Sequence, residues 1–245
     1  MQAKGHSDAS APFLSTPMKI LKDLYNILMP RRCVVCQGIL EPDETFICTA
    51  CSIQMPRFPL KSIEDNEPLR MVWNYAPVQY GATLLYYRHQ SDYHKMITNI
   101  KYRGGEQLGI KLGQWAAMEM EQYGLAEKID VIVPVPSDRK RQSNRGYNQA
   151  ELIAIGLGKE MHRPVETFLK RSITGQSQTK LGKKERRENA TGKYEANIPA
   201  SWRGKHILLV DDVLTTGATI GNCAKIILDA DPKAKISIFT LAYDG

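Results

Sequence analysis

The sequence predicts an α/β protein in which a parallel sheet carries helices on both faces, with a small four-cysteine module ahead of it. Three observations predict this. Short apolar, β-branched runs alternate with amphipathic helical patterns from residue 78 onward. Two Cys-x-x-Cys pairs crowd into residues 33–51. One apolar run leads through two carboxylates into a Thr-Gly loop and then a helix. The 245 residues, 42% hydrophobic and 24% charged, suffice for a packed core and exclude a wholly disordered chain or a fibrous repeat. No uncharged apolar run is long enough for a transmembrane helix, so no membrane span is expected.

Residues 1–17 are polar and rich in Ser, Ala and Pro, and read as a flexible tail. They lack the basic start and uninterrupted apolar run of a secretory signal, so a cytoplasmic protein is expected. From Met18 to Met29, Ile20, Leu21, Leu24, Ile27 and Leu28 follow helical spacing between charged residues, which predicts an amphipathic helix.

Residues 33–36 read CVVC and 48–51 read CTAC, with eleven residues between the pairs. Two residues between cysteines let both sulfurs of a turn face one centre. Two such turns supply four thiolates, the tetrahedral set that zinc prefers. Cys33, Cys36, Cys48 and Cys51 are therefore expected to hold a structural zinc, with no position left open for a substrate water. Paired disulfides fit a reducing compartment poorly, and a thioredoxin-type pair would occur once, within a βαβ unit. The following MPRFPLKSIEDNEPLR, with three prolines, reads as a linker or an extended wrap. The pattern changes near Val72–Pro77, which places helix, metal module and linker in 18–76 and the larger domain in 77–245.

In that domain the pattern predicts a strand at 82–87, helices at 92–102 and 106–123, and a buried strand in IDVIVPVP, 129–136. A helix follows at 148–161, a strand at 206–210, a helix at 219–230 and a last strand at 235–242. Cys223 falls on the apolar face of its helix and reads as an inert buried thiol.

Residues 206–219 read HILLVDDVLTTGAT. A hydrophobic strand ends in Asp211 and Asp212, and Thr215, Thr216, Gly217, Ala218 and Thr219 lead into the next helix. Free N–H groups at a helix start favour a phosphate. Gly217 allows close backbone approach, and the carboxylates can hold ribose hydroxyls or Mg²⁺. The string is not a Walker A loop, since it has no Gly-Lys-Ser/Thr. The net charge of +7 is concentrated: from Arg139 to Arg187, seven Arg and six Lys face four Glu. Such a stretch suits a polyanion, whether phosphate, pyrophosphate or nucleic acid.

LLVDDVLTTGAT resembles the signature of type I phosphoribosyltransferases, whose substrate is phosphoribosyl pyrophosphate (PRPP). The resemblance implies that 215–219 binds the 5′-phosphate and that Asp211 and Asp212 bind the ribose hydroxyls, directly or through Mg²⁺. VPVPSDRKRQSNRGYNQAELIA (133–154), NIKYRGG (99–105), LKRSITGQSQTKLGKKERREN (169–189) and the cysteine pairs resemble the competence protein F family, predicted phosphoribosyltransferases linked to bacterial DNA uptake. That family implies a pyrophosphate-side turn at Val135 and Pro136, served by Arg139 and Arg145. Segment 169–189 is similar to the mobile loop of glutamine amidophosphoribosyltransferases, which implies a flexible lid carrying Gln176, Gln178, Lys183, Lys184, Arg186 and Arg187. Thr215 stands where some purine phosphoribosyltransferases carry a carboxylate that acts on the base, so purine salvage of that type is not expected. No residue stands out as a general base.

The expected protein is thus a PRPP- or ribose 5-phosphate-binding phosphoribosyltransferase of the competence type, with zinc and Mg²⁺ as metals and single-stranded DNA or DNA-uptake proteins as partners. Two alternatives stay open. One is a metabolic phosphoribosyltransferase acting on an unknown base or amine. The other is a non-catalytic module that binds single-stranded DNA or protein.

Overall fold

A computed structural model describes residues 30–88, 90–100, 105–137, 146–171 and 194–245. The expected tail, the amphipathic helix at 18–29, Arg139, Arg145 and the six lid residues lie outside these.

The chain divides into two compact units between Ile53 and Gln54. In the first, Glu44 organises the backbone between the cysteine pairs. Its carboxylate accepts from the N–H groups of Glu41 and Thr49 at 2.9 and 2.6 Å and from the Thr49 hydroxyl at 2.8 Å. This fixes the start of a short helix, α1 (Thr49–Ile53). Arg31 donates to the carbonyls of Glu44, Glu41 and Pro42 from the other side. With few buried apolar residues among those described, the module leans on such polar ties and on its cysteines.

The second unit opens with an extended stretch that fits the expected wrap: Arg57 bridges Leu85, and the Phe58 N–H donates to the Leu84 carbonyl at 2.9 Å. Its end, expected as linker or wrap too, is helix instead. Helix α2 (Glu67–Trp73) starts at Asn66, whose side chain accepts from the Leu69 N–H at 3.0 Å, and Pro68 occupies the first turn. Leu69 and Val72 are fully buried. There follow β1 (Gly81–Tyr86), α3 (His94–Asn99), α4 (Glu106–Met120), a helical turn α5 (Leu125–Lys128), β2 (Val131–Pro134) and α6 (Gln149–Met161). A hairpin of β3 (Leu169–Arg171) and β4 (Tyr194–Ala196) precedes β5 (His206–Leu214), α7 (Ala218–Ala230) and β6 (Lys235–Tyr243). Residues 169–171, expected to open the lid, are thus strand.

Strands β1, β6, β5 and β2 form one sheet in that order, all parallel. Side chains alternate across it. Ile207, Leu209, Ile236, Ile238, Val131 and Val133 share a core with Leu69 and Val72 of α2 and with Ile220, Cys223, Ala224 and Ile227 of α7. Helix α6 packs against β2 and β5, and α4 packs against α6, β1 and β6. The helices therefore cover both faces, and the two central strands carry continuous apolar runs at Ile207–Val210 of β5 and Leu241–Ala242 of β6, as a buried parallel sheet requires.

Candidate functional site

Strand β5 does not stop at the acid pair. It stays in register with β6 through Leu214, with Asp211 opposite Thr240 and Val213 opposite Ala242. Asp211 and Asp212 are successive strand residues, so they leave the sheet in opposite directions. The Asp212 N–H donates to Asp211 Oδ1 at 2.9 Å, and the Val213 N–H to Asp212 Oδ1 at 2.8 Å. Burial and the neighbouring Asp212 push Asp211 well above the usual carboxylate range. Asp211 in turn adds to the effect of burial in raising the Cys223 thiol, which keeps that cysteine in its unreactive form. Sequence reasoning did not single out Tyr87. Its N–H donates to the Tyr243 carbonyl at 2.6 Å, and burial, Asp244 and Asp212 raise its phenol.

The chain then turns into α7. Thr215, Thr216 and Thr219 are exposed, while Gly217 is buried at φ 73°. A side chain at Gly217 would press on Met71 and Val72 of α2, at 3.3 Å. Gly217 is also the N-cap of α7 and supplies no side-chain acceptor; the Ala218 N–H donates to Thr216 Oγ1 at a long 3.4 Å, which leaves the helix start weakly capped and able to take an anion. Across the sheet, Pro134 of β2 pairs with Val210, which brings Val135 level with Asp211. The Val135 N–H donates to the Val210 carbonyl at 2.8 Å, and the Val135 carbonyl accepts from Asn148 Nδ2 at 2.9 Å. Val135, Pro136, the acid pair and the Thr-Gly loop thus meet at the carboxyl edge of the sheet, where open α/β folds bind ligands.

In the first unit, the sulfurs of Cys33, Cys36, Cys48 and Cys51 all lie within 4.8 Å of one another. Cys36 and Cys48 are 3.8 Å apart, the edge of a tetrahedron with metal–sulfur distances of about 2.3 Å. The Gly38 N–H donates to Cys36 Sγ and the Cys48 N–H to Cys33 Sγ, both at 3.4 Å. Burial raises Cys33, but backbone N–H donors at Cys36, Cys48 and Val35 outweigh it and bring the thiol down to about 7. Burial and the other three thiols push Cys51 up. The four cysteines are positioned to bind a metal, as their spacing predicted.

The sequence pattern of the phosphoribosyl transferase domain family matches residues 104–245, more than half of the chain. The chain belongs to this family. It is 35% identical over 115 residues to competence protein ComFC of Bacillus subtilis, covering 47% of this chain and 45% of that protein. It thus spans less than half of that relative. It is 25% identical over 218 residues to competence protein F of Haemophilus influenzae, covering 80% of this chain and 90% of that one. DNA utilization protein YhgH of Escherichia coli O157:H7 is 25% identical over 215 residues, covering 82% and 92% of the two chains. The resemblance to competence protein F is thereby borne out. The fold is also similar to glutamine PRPP amidotransferase of B. subtilis, at 17% identity and a TM-score of 0.40, over 58% of this chain and 30% of that one. Among the described residues no helix is long and apolar enough to cross a membrane.

Proposed function

We propose that this phosphoribosyl transferase domain binds PRPP at the carboxyl edge of its sheet and serves DNA uptake from the cytoplasm. The observation that carries the reading is the run from β5 through Asp211 and Asp212 into an exposed threonine loop and a helix start that Gly217 leaves without its own side-chain cap. The N–H groups and hydroxyls of residues 215–219 hold the 5′-phosphate. Asp211 and Asp212 hold the ribose hydroxyls. A Mg²⁺, when bound there, offsets the charge between the carboxylates and the diphosphate. The turn at Val135 and Pro136 faces the pyrophosphate, with Arg139 and Arg145 neutralising it as the bond to C1 breaks. Gln176, Gln178, Lys183, Lys184, Arg186 and Arg187 add donors and cations over the ligand. The acid pair then stabilises the cationic ribose that develops during transfer. Zinc at the four cysteines is structural.

Calorimetric titration with PRPP and Mg²⁺ tests the site. Asp212→Ala and Thr219→Ala should each weaken binding by ~1–3 kcal/mol, the range for one charge-assisted bond. No heat with the unaltered chain ends the reading. A deletion strain that takes up DNA normally would end the competence role.

A second reading, direct binding of single-stranded DNA, is favoured by the basic stretch 139–187. Its affinity should fall by roughly 0.7 log units per log unit of salt for each phosphate neutralised. Anisotropy titrations in which neutralising Lys183, Lys184, Arg186 and Arg187 has no effect would place DNA elsewhere.

A further inference from the structure

A cavity of about 310 Å³ opens at the outer edge of the sheet, beside β2. Strand β2 ends the four-stranded sheet, and beyond it the segment around Val165 runs alongside. The Glu166 N–H donates to the Ile132 carbonyl at 2.9 Å. The cavity lies between the end of β2, the first turn of α6 and strand β3. No residue of β5, of the loop 215–219 or of α7 lines it. It is therefore separate from the acid pair and the phosphate loop, and it touches the proposed PRPP site only through the turn at 134–137.

Its lining carries both signs of charge. Glu151 comes from α6, and Lys170 and Arg171 come from β3. Among the described residues, the side chains of Glu151 and Lys170 form no hydrogen bond or ion pair, although they share this cavity; Lys170 lies opposite Glu195 in the β3–β4 hairpin. Arg171 is held 5.9 Å above the Tyr194 ring. Asn148, only 8% exposed, spends its amide N–H on the Val135 carbonyl. Its side-chain oxygen caps nothing, although Asn148 is the N-cap of α6. The buried Ser137 hydroxyl has no partner among the described residues. Pro134, Pro136 and Leu169 supply an apolar wall.

We propose that this cavity binds a small zwitterion of the free α-amino acid class. The ammonium sits at Glu151 and the Asn148 oxygen, and the carboxylate sits at Lys170 and Arg171. A simple anion would meet the Glu151 carboxylate, and a simple cation would meet the two basic groups. A dipolar ligand satisfies both walls at once, through charge-assisted hydrogen bonds. The volume is at the small end of ligand pockets, which suits a molecule of this size. The site shares Pro136 with the proposed pyrophosphate turn, but its test uses amino acids without PRPP, so the two readings fail separately.

The test titrates each of the twenty free α-amino acids against the full chain by ligand-observed NMR, with calorimetry on those that bind. At least one should bind at about millimolar affinity or better. Its N-acetyl and methyl ester forms should each bind at least about tenfold more weakly, the cost of one lost charge-assisted bond. Glu151→Gln should weaken the parent amino acid similarly and remove the penalty of acetylation. Lys170→Gln should weaken the parent amino acid and reduce the penalty of esterification, with Arg171 keeping the remainder. Circular dichroism confirms that both variants are folded. If no amino acid binds, or if binding ignores both substitutions, the charges are merely solvated rims and the proposal fails.

Discussion

Asp211 and Asp212 are adjacent in the chain but occupy different environments. Asp211 shares its face with α7 and Cys223, while Asp212 bears on Tyr87. The loop beyond them hinges on Gly217 at φ 73°, a backbone that L side chains reach at a cost of roughly 1–2 kcal/mol. Gly217→Ala should lower stability by about that amount, read from urea denaturation. It should weaken PRPP more than it weakens an amino acid bound at Glu151, since only the former uses the loop. A second residue gives a pH dependence. His206 is buried, with Nε2 2.8 Å from Ser237 Oγ and its ring stacked 5.8 Å from Tyr80. Burial, and then the Lys235 charge, lower its pKa. Below the unfolded value of about 6.5 the unfolded chain binds the proton that the folded one resists. This part of the stability is complete above that pH and is lost as the pH falls toward the depressed value. Urea midpoints at pH 7.5 and 5.5 should therefore differ, and His206→Gln should shrink the difference. An unchanged difference would show that other groups carry it.

At the scale of elements, α4 and α6 pack backbone against backbone at paired glycines. Gly113 and Gly156 make this possible: a Cβ at Gly156 would overlap the Ile110 carbonyl oxygen, and one at Gly113 would overlap that of Ile153. In an isolated helix Gly156→Ala would gain about 1 kcal/mol. Here it should lose ~1–3 kcal/mol net, because overpacking forces the helices apart. Since α6 also presents Asn148 and Glu151, the same substitution should loosen the cavity at its first turn. The measurement is chemical denaturation, and a stabilised variant would refute the close crossing. The periodic elements of this layer were legible in the sequence, because 3.6-residue spacing is a local signal. Helix α2 was not, since seven residues among prolines and charges carry too little periodicity. Only Asn66 followed by Pro68 marked its start.

At the scale of the whole molecule, the division between Ile53 and Gln54 separates a unit built on cysteines from one built on a hydrophobic core. Stripping the metal should therefore unfold residues 30–53 and spare the larger unit. Hydrogen exchange before and after chelation would read this as lost protection confined to the first unit. Cys48→Ser should reproduce part of the loss. Purified protein with less than about a tenth of an equivalent of zinc would remove the metal from the account.

By itself, the sequence determined the features that depend on near neighbours along the chain. The cysteine set follows from turns two residues wide. The proposed phosphate loop follows from a strand, two acids, a Thr-Gly turn and a helix written consecutively. Even there it ended the strand too early, because the continuation of β5 to Leu214 depends on pairing with β6. Only the tertiary structure decided which distant residues share a wall. Val135 stands level with Asp211 because β2 lies beside β5, and Glu151 and Lys170 line one cavity because the chain returns past the edge of β2. Such meetings are set by strand order and register. These depend on long-range packing between segments whose local patterns carry no record of their partners.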